Sequence, residues 1–297
     1  MTAELTISEQ IALLRIQAEA ALAHADRPSA LGLMMKAFEL DEDAPLSLSL
    51  IDRISFVAPD PEALLAVDAD SRSLFRRAVR ARVMMNLGQR LEATRAMVQV
   101  VERAPHRPFM VWLVPWLDRE ACLAIGLSGL KSMVLSLIEF ASQYPVPTPD
   151  GENDLSPVCV SLLRAGTALL SVIRNAYPDE PQLYFGEVLL RRRLGEPKAT
   201  LEVAQRGVER FPSDWGCLTA MLNALGDAAQ PDEALRYAER ALSVDPSDGS
   251  PLYDAGLAFL HQERGADAAQ VFSELVARFQ GYPGAAEAHQ RARALDE

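Results

Sequence analysis

The sequence predicts an all-α chain, a solenoid of antiparallel helical hairpins that is regular in its C-terminal half and irregular in its N-terminal half. Three observations predict it. Prolines recur at a 34-residue step, Pro178, Pro212 and Pro246, the last two opening a shared Pro-Ser-Asp in "RFPSDWG" (Arg210–Gly216) and "VDPSDGS" (Val244–Ser250). After each of them in turn, Tyr184, Val188 and Arg191, then Leu218, Leu222 and Leu225, then Leu252, Gly256 and Phe259 keep spacings of four and three. That spacing holds one face of a helix inward. Alanine and leucine abound while aromatic residues make up only 6%. Such a composition suits closely packed helices, since a sheet wants more β-branched and aromatic residues.

Taken in chain order, Ile11–Ala44 places Leu14, Ala18, Ala21, Ala30, Met34 and Ala37 at the sites that the regular copies fill further on. The stretch Ala44–Asp70 keeps helical spacing at the wrong length for a copy and reads as an irregular helix pair. Leu74–Arg107 is a second degenerate copy, with Ala81, Met84, Gly88, Met97, Val100 and Pro105. "PFMVWLVPWL" (Pro108–Leu117) is hydrophobic all round and reads as a buried helix. A weaker copy runs from about Val114 to Val146, with Ala121, Ala124, Met133, Phe140 and Pro145. "YPVPTPDGENDLSP" (Tyr144–Pro157) holds four prolines and a glycine and sustains neither helix nor strand. It divides an irregular region, 1–143, from an array, 158–297, with 144–157 as the linker.

In the array a long helix at about Ser156–Ala176 leads into three copies, Pro181–Asp214, Trp215–Asp248 and Gly249–Tyr282. Each is expected to break near a glycine: Gly195, Gly226 and Gly265. Pro197 and Pro231 suit the first turn of the second helices, where no amide hydrogen bond is lost. Small residues such as Ala204, Gly207, Ala238 and Ala241 let the paired helices approach. Pro212 and Pro246 end those helices, and Ser213-Asp214 and Ser247-Asp248 are expected to cap the ones that follow. A closing helix, 284–297, carries a polar outer face.

The three copies resemble the tetratricopeptide repeat, with its 34 residues, two antiparallel helices and closing proline. "DEALRYAERALSVDPSD" carries the resemblance best, and the match covers about 100 residues. Arg191, Thr200 and Gln280 depart from the pattern. The resemblance implies a groove lined by the first helices that grips a partner segment. The positions it implies are Phe185, Leu189, Arg192, Arg193, Asn223, Tyr253 and Leu257. Gln182, Gly186, Thr219, Ala220, Ser250, Asp254 and His261 lie on the same face. The lysines of the variant that clamps chaperone tails are missing, and only Asn223 matches it. Apolar residues beside two arginines suit a segment with acidic flanks.

The chain is acidic overall, net charge −12, which disfavours nucleic-acid partners. From Arg72 to Arg107, however, nine arginines face two glutamates, a net of +7. Arg72, Arg76 and Arg80 fall at i, i+4 and i+8 with Arg77 beside them. This stripe is either a patch for an acidic partner or a solvated face balanced by Asp60, Glu62, Asp68 and Asp70. Three scattered cysteines and four isolated histidines form no zinc or disulfide pattern. No nucleophile, phosphate or dinucleotide motif occurs. No catalytic residue, metal or cofactor is therefore expected. No leader is recognised, and no uninterrupted apolar run reaches the length of a membrane span. The expectation is a cytoplasmic, non-enzymatic adaptor or scaffold with a protein or peptide partner, no nucleic acid and no membrane insertion. The alternatives are a non-catalytic accessory subunit of an enzyme or secretion complex, or a peptide-sensing regulator.

Overall fold

The computed structural model describes residues 5–40, 50, 52–54, 73–107, 109–146 and 155–295. Every regular element among them is helical. The chain forms two compact units, Met1–Ser136 and Leu137–Glu297. The proline-rich stretch expected as the linker falls within the range of the second unit, and its residues 147–154 lie outside those described.

The first unit holds α1 (Ile7–Ala23), α2 (Arg27–Leu40), α3 (Leu74–Asn86), α4 (Arg90–Arg103), α5 (Phe109–Leu113) and α6 (Arg119–Ile125). α1 packs on α2 and α3 on α4, as two hairpins. Thr6 and Glu9 open α1 with a reciprocal cap in which each side chain accepts from the other's backbone amide. Of the residues expected inside the hairpins, Ala18, Ala30, Met34, Ala37, Ala81, Met97 and Val100 are buried, Leu14, Ala21 and Met84 are half-buried, and Gly88 is exposed. The tryptophan segment is buried as expected at Trp112 and Trp116, but its helix is five residues, not ten. Pro115 accounts for the stop, because proline leaves no amide for a further turn. Most of the irregular pair at 44–70 lies outside the described residues. Gly126, at φ 83°, takes the left-handed corner between α6 and α7 (Leu127–Ser142). The boundary between the units falls inside α7.

The second unit continues with α8 (Pro157–Ala176), then α9 (Pro181–Arg193) and α10 (Pro197–Arg210). α11 (Trp215–Asp227) pairs with α12 (Pro231–Val244), and α13 (Ser250–Leu260) with α14 (Gly265–Arg278). α15 (Ala285–Ala294) closes the unit against α14, burying Ala285, Ala288 and Ala292. First helices begin at residues 181, 215 and 250, and second helices at 197, 231 and 265. The second unit is a tetratricopeptide-like solenoid of hairpins.

Two backbone devices recur through it. Tyr177, Phe211, Asp245 and Phe279, each 34 residues on, end their helices with φ between −129° and −122°. Each donates its amide to the carbonyl four residues back, at 2.8 to 2.9 Å. The first three precede prolines, whose rings push the preceding residue out of the helical region. Phe279 precedes Gln280 and adopts the same conformation, held by its ring packing against the core.

The second device corrects the expected breaks. Gly226 lies within α11 and Gly265 begins α14. The turns sit instead at Gly195, Ala229 and Glu263, again 34 residues apart, with φ of 69°, 60° and 55°. Each donates its amide three residues back, and the next residue donates five back: Glu196 to Arg191, Gln230 to Leu225, Arg264 to Phe259. This is the Schellman closure of a helix. The same closure joins α1 to α2 at Ala25 and α3 to α4 at Gly88. A side chain in this region is strained by about 1–2 kcal/mol. Ala229→Gly is therefore expected to stabilise the protein by about 0.5–1 kcal/mol, read as a higher urea midpoint at unchanged m-value.

The caps also differ between copies. Asp214 accepts from the Cys217 amide at 2.8 Å and caps α11, as expected. Asp248 accepts from the Ser250 amide at 2.8 Å, but Gly249 occupies the N-cap position of α13 and makes no side-chain cap. Asp214→Ala is expected to cost about 1 kcal/mol in thermal unfolding, and a change near zero would remove the cap from the account.

α8 spans 20 residues and is long and apolar enough to cross a bilayer. Reading only for uninterrupted apolar runs passes over it because exposed Arg164 breaks the run. Half of its most apolar window is buried within the protein, where it packs on α9.

Candidate partner-binding site

The first helices of successive hairpins lie side by side, α9 beside α11 and α11 beside α13. Their shared face opens into a cavity of about 240 Å³. α9 contributes Arg192, α11 contributes Leu222, Asn223, Gly226 and Asp227, and α13 contributes Asp254, Leu257 and Ala258, with His261 at its end. Val146 completes the wall. Of the groove residues expected from sequence, the cavity thus brings together Arg192, Asn223 and Leu257.

The others stand differently. Phe185 is half-buried and packs against the hydrophobic core, with its ring close to Gly216. Leu189 is half-buried on α9. Tyr253 has its ring 5.8 Å from Phe272 and 5.5 Å from Tyr282 and is part of the packing beneath the closing helix. Arg193 donates from Nε to the Ala141 carbonyl at 3.2 Å. Burial, and then the neighbouring Arg192 charge, pull its pKa below the ordinary value, with Asp227 opposing.

The electrostatics of the cavity differ from the expectation of free arginines. Arg192 is clamped by Asp227 of the next hairpin, Nε to Oδ2 at 2.6 Å and Nη2 to Oδ1 at 3.0 Å. A fork of this kind fixes the guanidinium and ties α9 to α11. Asp254 is different. It is half-buried and has no ion-pair partner among the described residues. Burial pushes its carboxyl above the ordinary 3.8, Arg192 and Asn223 pull it back, and the Asp248 and Asp227 carboxylates push it further up.

A raised folded pKa means that the folded state binds the proton more tightly than the unfolded state. Asp254 therefore weakens folding as pH rises from about 3.8 through its folded pKa. Asp254→Asn is expected to raise the unfolding midpoint at neutral pH, with the gain vanishing at pH 3. A gain that persists unchanged at pH 3 would show a cause other than ionisation.

In the first unit, Arg72 lies outside the described residues. Arg76 pairs with Glu39 of α2 at 2.7 Å, and Arg77 and Arg80 also take part in interactions. Arg82 makes a two-pronged contact with Asp52, both bonds 2.8 Å, and lies 5.8 Å from the centre of the Trp116 ring. The acids expected opposite the stripe, at 60–70, lie outside the described residues. Among the described residues, no group of three His, Cys, Asp or Glu side chains is placed to hold a metal.

The sequence reading missed a buried network. Glu187 is fully buried on α9, with Oε2 accepting from Arg174 Nε of α8 at 2.8 Å. Its Oε1 accepts from Arg191 Nη2 at 2.9 Å and Nε at 3.1 Å, and Arg191 reaches on to Glu196 at 3.0 Å. The Glu187/Arg191 spacing of four was visible, but that spacing is common on exposed helix faces. Arg191, the departure from the repeat pattern, is thus one arm of a buried charge network.

No family profile and no curated protein matches the chain. Among solved structures, it is similar to a tetratricopeptide repeat protein from Parabacteroides merdae ATCC 43184, at 12% identity and a TM-score of 0.39, covering 96% of this chain and 99% of that one. It is similar to YrrB, described as a TPR protein with an unusual peptide-binding site, at 13% identity and 0.43, covering 76% and 96%. It is also similar to the TPR2AB domain of yeast Sti1 in complex with pHSP90, at 14% identity and 0.35, covering 98% and 100%.

Proposed function

We propose that this tetratricopeptide-like chain is a non-catalytic adaptor that holds a segment of a partner protein against the face of its first helices. The supporting observation is the cavity to which α9, α11 and α13 each contribute, a surface that continues from hairpin to hairpin. Stacked hairpins offer long shallow faces that suit chains better than they enclose small substrates. None of its three cysteines is in a disulfide. Burial, reinforced by nearby aspartates, pushes the Cys122 and Cys217 thiols up to about 11 and about 12. Buried thiols outside any disulfide suit a cytoplasmic protein.

A photo-crosslinking residue placed at Asn223 tests the reading, with one at exposed Arg236 on α12 as control. In the native cell the partner is expected to crosslink from position 223 and not from 236. Crosslinking from 236 alone would overturn the proposal and move the interaction to the second helices.

A further inference from the structure

We propose that the cavity between α9, α11 and α13 receives the cationic side chain, lysine or arginine, of an extended partner segment, with Asp254 as its counter-ion. The inference rests on the reading that this face binds a partner segment, and it reverses the acidic-flank preference expected from sequence. Three observations lead to it.

The first is size. About 240 Å³ is smaller than the roughly 300–1,000 Å³ of pockets that hold drug-sized molecules, and suits one long side chain. The second is charge. Arg192 is held by Asp227, and Arg193, which donates to the Ala141 carbonyl, is not among the residues lining the cavity. Asp254 has no ion-pair partner among the described residues; the nearby Arg192 charge acts on it, but that guanidinium is already committed to Asp227, and Asp248 and Asp227 add to the negative side. With Arg192 and Asp227 paired to each other, the unpaired charge left on the cavity wall is the Asp254 carboxylate, which an acidic side chain would meet and a cation would neutralise. The third is the wall. Leu222, Leu257 and Ala258 offer apolar surface for the methylene stem, while the head reaches Asp254.

The test uses the full chain and a positional-scanning library of unstructured decapeptides. Binding is measured by fluorescence anisotropy at low and high salt to wild type, Asp254→Asn and Leu257→Asp. The expected result is selection of lysine or arginine at one position. Norleucine there should weaken binding about tenfold or more, as should Asp254→Asn, and added salt should weaken it further. Asp254→Asn is near-isosteric, removes a half-buried charge and is expected to fold at least as stably as wild type, which circular dichroism checks. Binding lost in Leu257→Asp but indifferent to Asp254→Asn and to the basic position would overturn this inference and leave the groove reading standing. Selection of acidic residues would overturn it equally. Absence of any binding sensitive to Leu257→Asp would overturn both.

Discussion

Glu187→Ala is expected to destabilise the second unit by about 3–5 kcal/mol, the cost of stranding a buried charge. Glu187 is fully buried and each of its carboxylate oxygens serves a different guanidinium, Arg174 on one side and Arg191 on the other. Arg191 keeps Glu196 after the substitution, but the Arg174 side chain is only 8% exposed and Glu187 is its carboxylate partner. The Tyr184 ring, 5.3 Å from the Arg174 guanidinium, offers only a weak substitute. A second variant separates charge from packing. Arg174→Met with Glu187→Leu removes both buried charges and is expected to recover most of the loss, because apolar residues of similar volume replace a pair that was costly to desolvate. Urea unfolding of the three proteins decides the matter. If the double variant is as unstable as Glu187→Ala, the network contributes shape and not charge balance.

Phe272→Ala is the second large effect, about 3–5 kcal/mol from lost burial and the cavity left behind. Phe272 is fully buried on α14, and its ring fills the space above Gly256 of α13. A β-carbon at Gly256 would lie 2.6 Å from the ring, so this glycine exists to admit the phenylalanine. In a quasi-linear array each hairpin contacts its neighbours alone, so the damage should stay local. Hydrogen exchange is expected to quicken in α13, α14 and α15 while α8 to α10 stay protected. Uniform loss of protection along the unit would contradict the stacked description. Gly256→Ala should also destabilise, and pairing it with Phe272→Leu should be milder than the sum, since the smaller side chain leaves room for the methyl group.

Much of this architecture was legible before any coordinates. The 34-residue step of Pro178, Pro212 and Pro246 marks the ends of α8, α10 and α12, because a proline ring acts on its neighbours whatever the fold around it. Pro197 and Pro231 mark helix starts for the same local reason. The small residues Ala204, Ala238 and Ala241 announced close helix contacts. The left-handed turns were legible only where glycine marks them. Gly195 gave its position away, but Ala229 and Glu263 occupy the same conformation with side chains. The sequence reading moved those breaks to Gly226 and Gly265, since nothing local distinguishes a strained alanine from a helical one.

The site was less legible, for a physical reason. The repeat pattern determined which helix face Arg192, Asn223, Asp254 and Leu257 would share, because register along a helix is a property of spacing. It could not determine which charges would cancel. Arg192 meets Asp227 thirty-five residues away, and Arg193 meets a carbonyl fifty-two residues away. Glu187 owes its burial to α8 packing across it. Spacing along one chain fixes helices, their ends and their faces. Whether a charge on such a face is spent on a neighbouring helix or kept for a partner is decided when the helices stack, since only then do residues far apart in sequence come within reach of each other's charge.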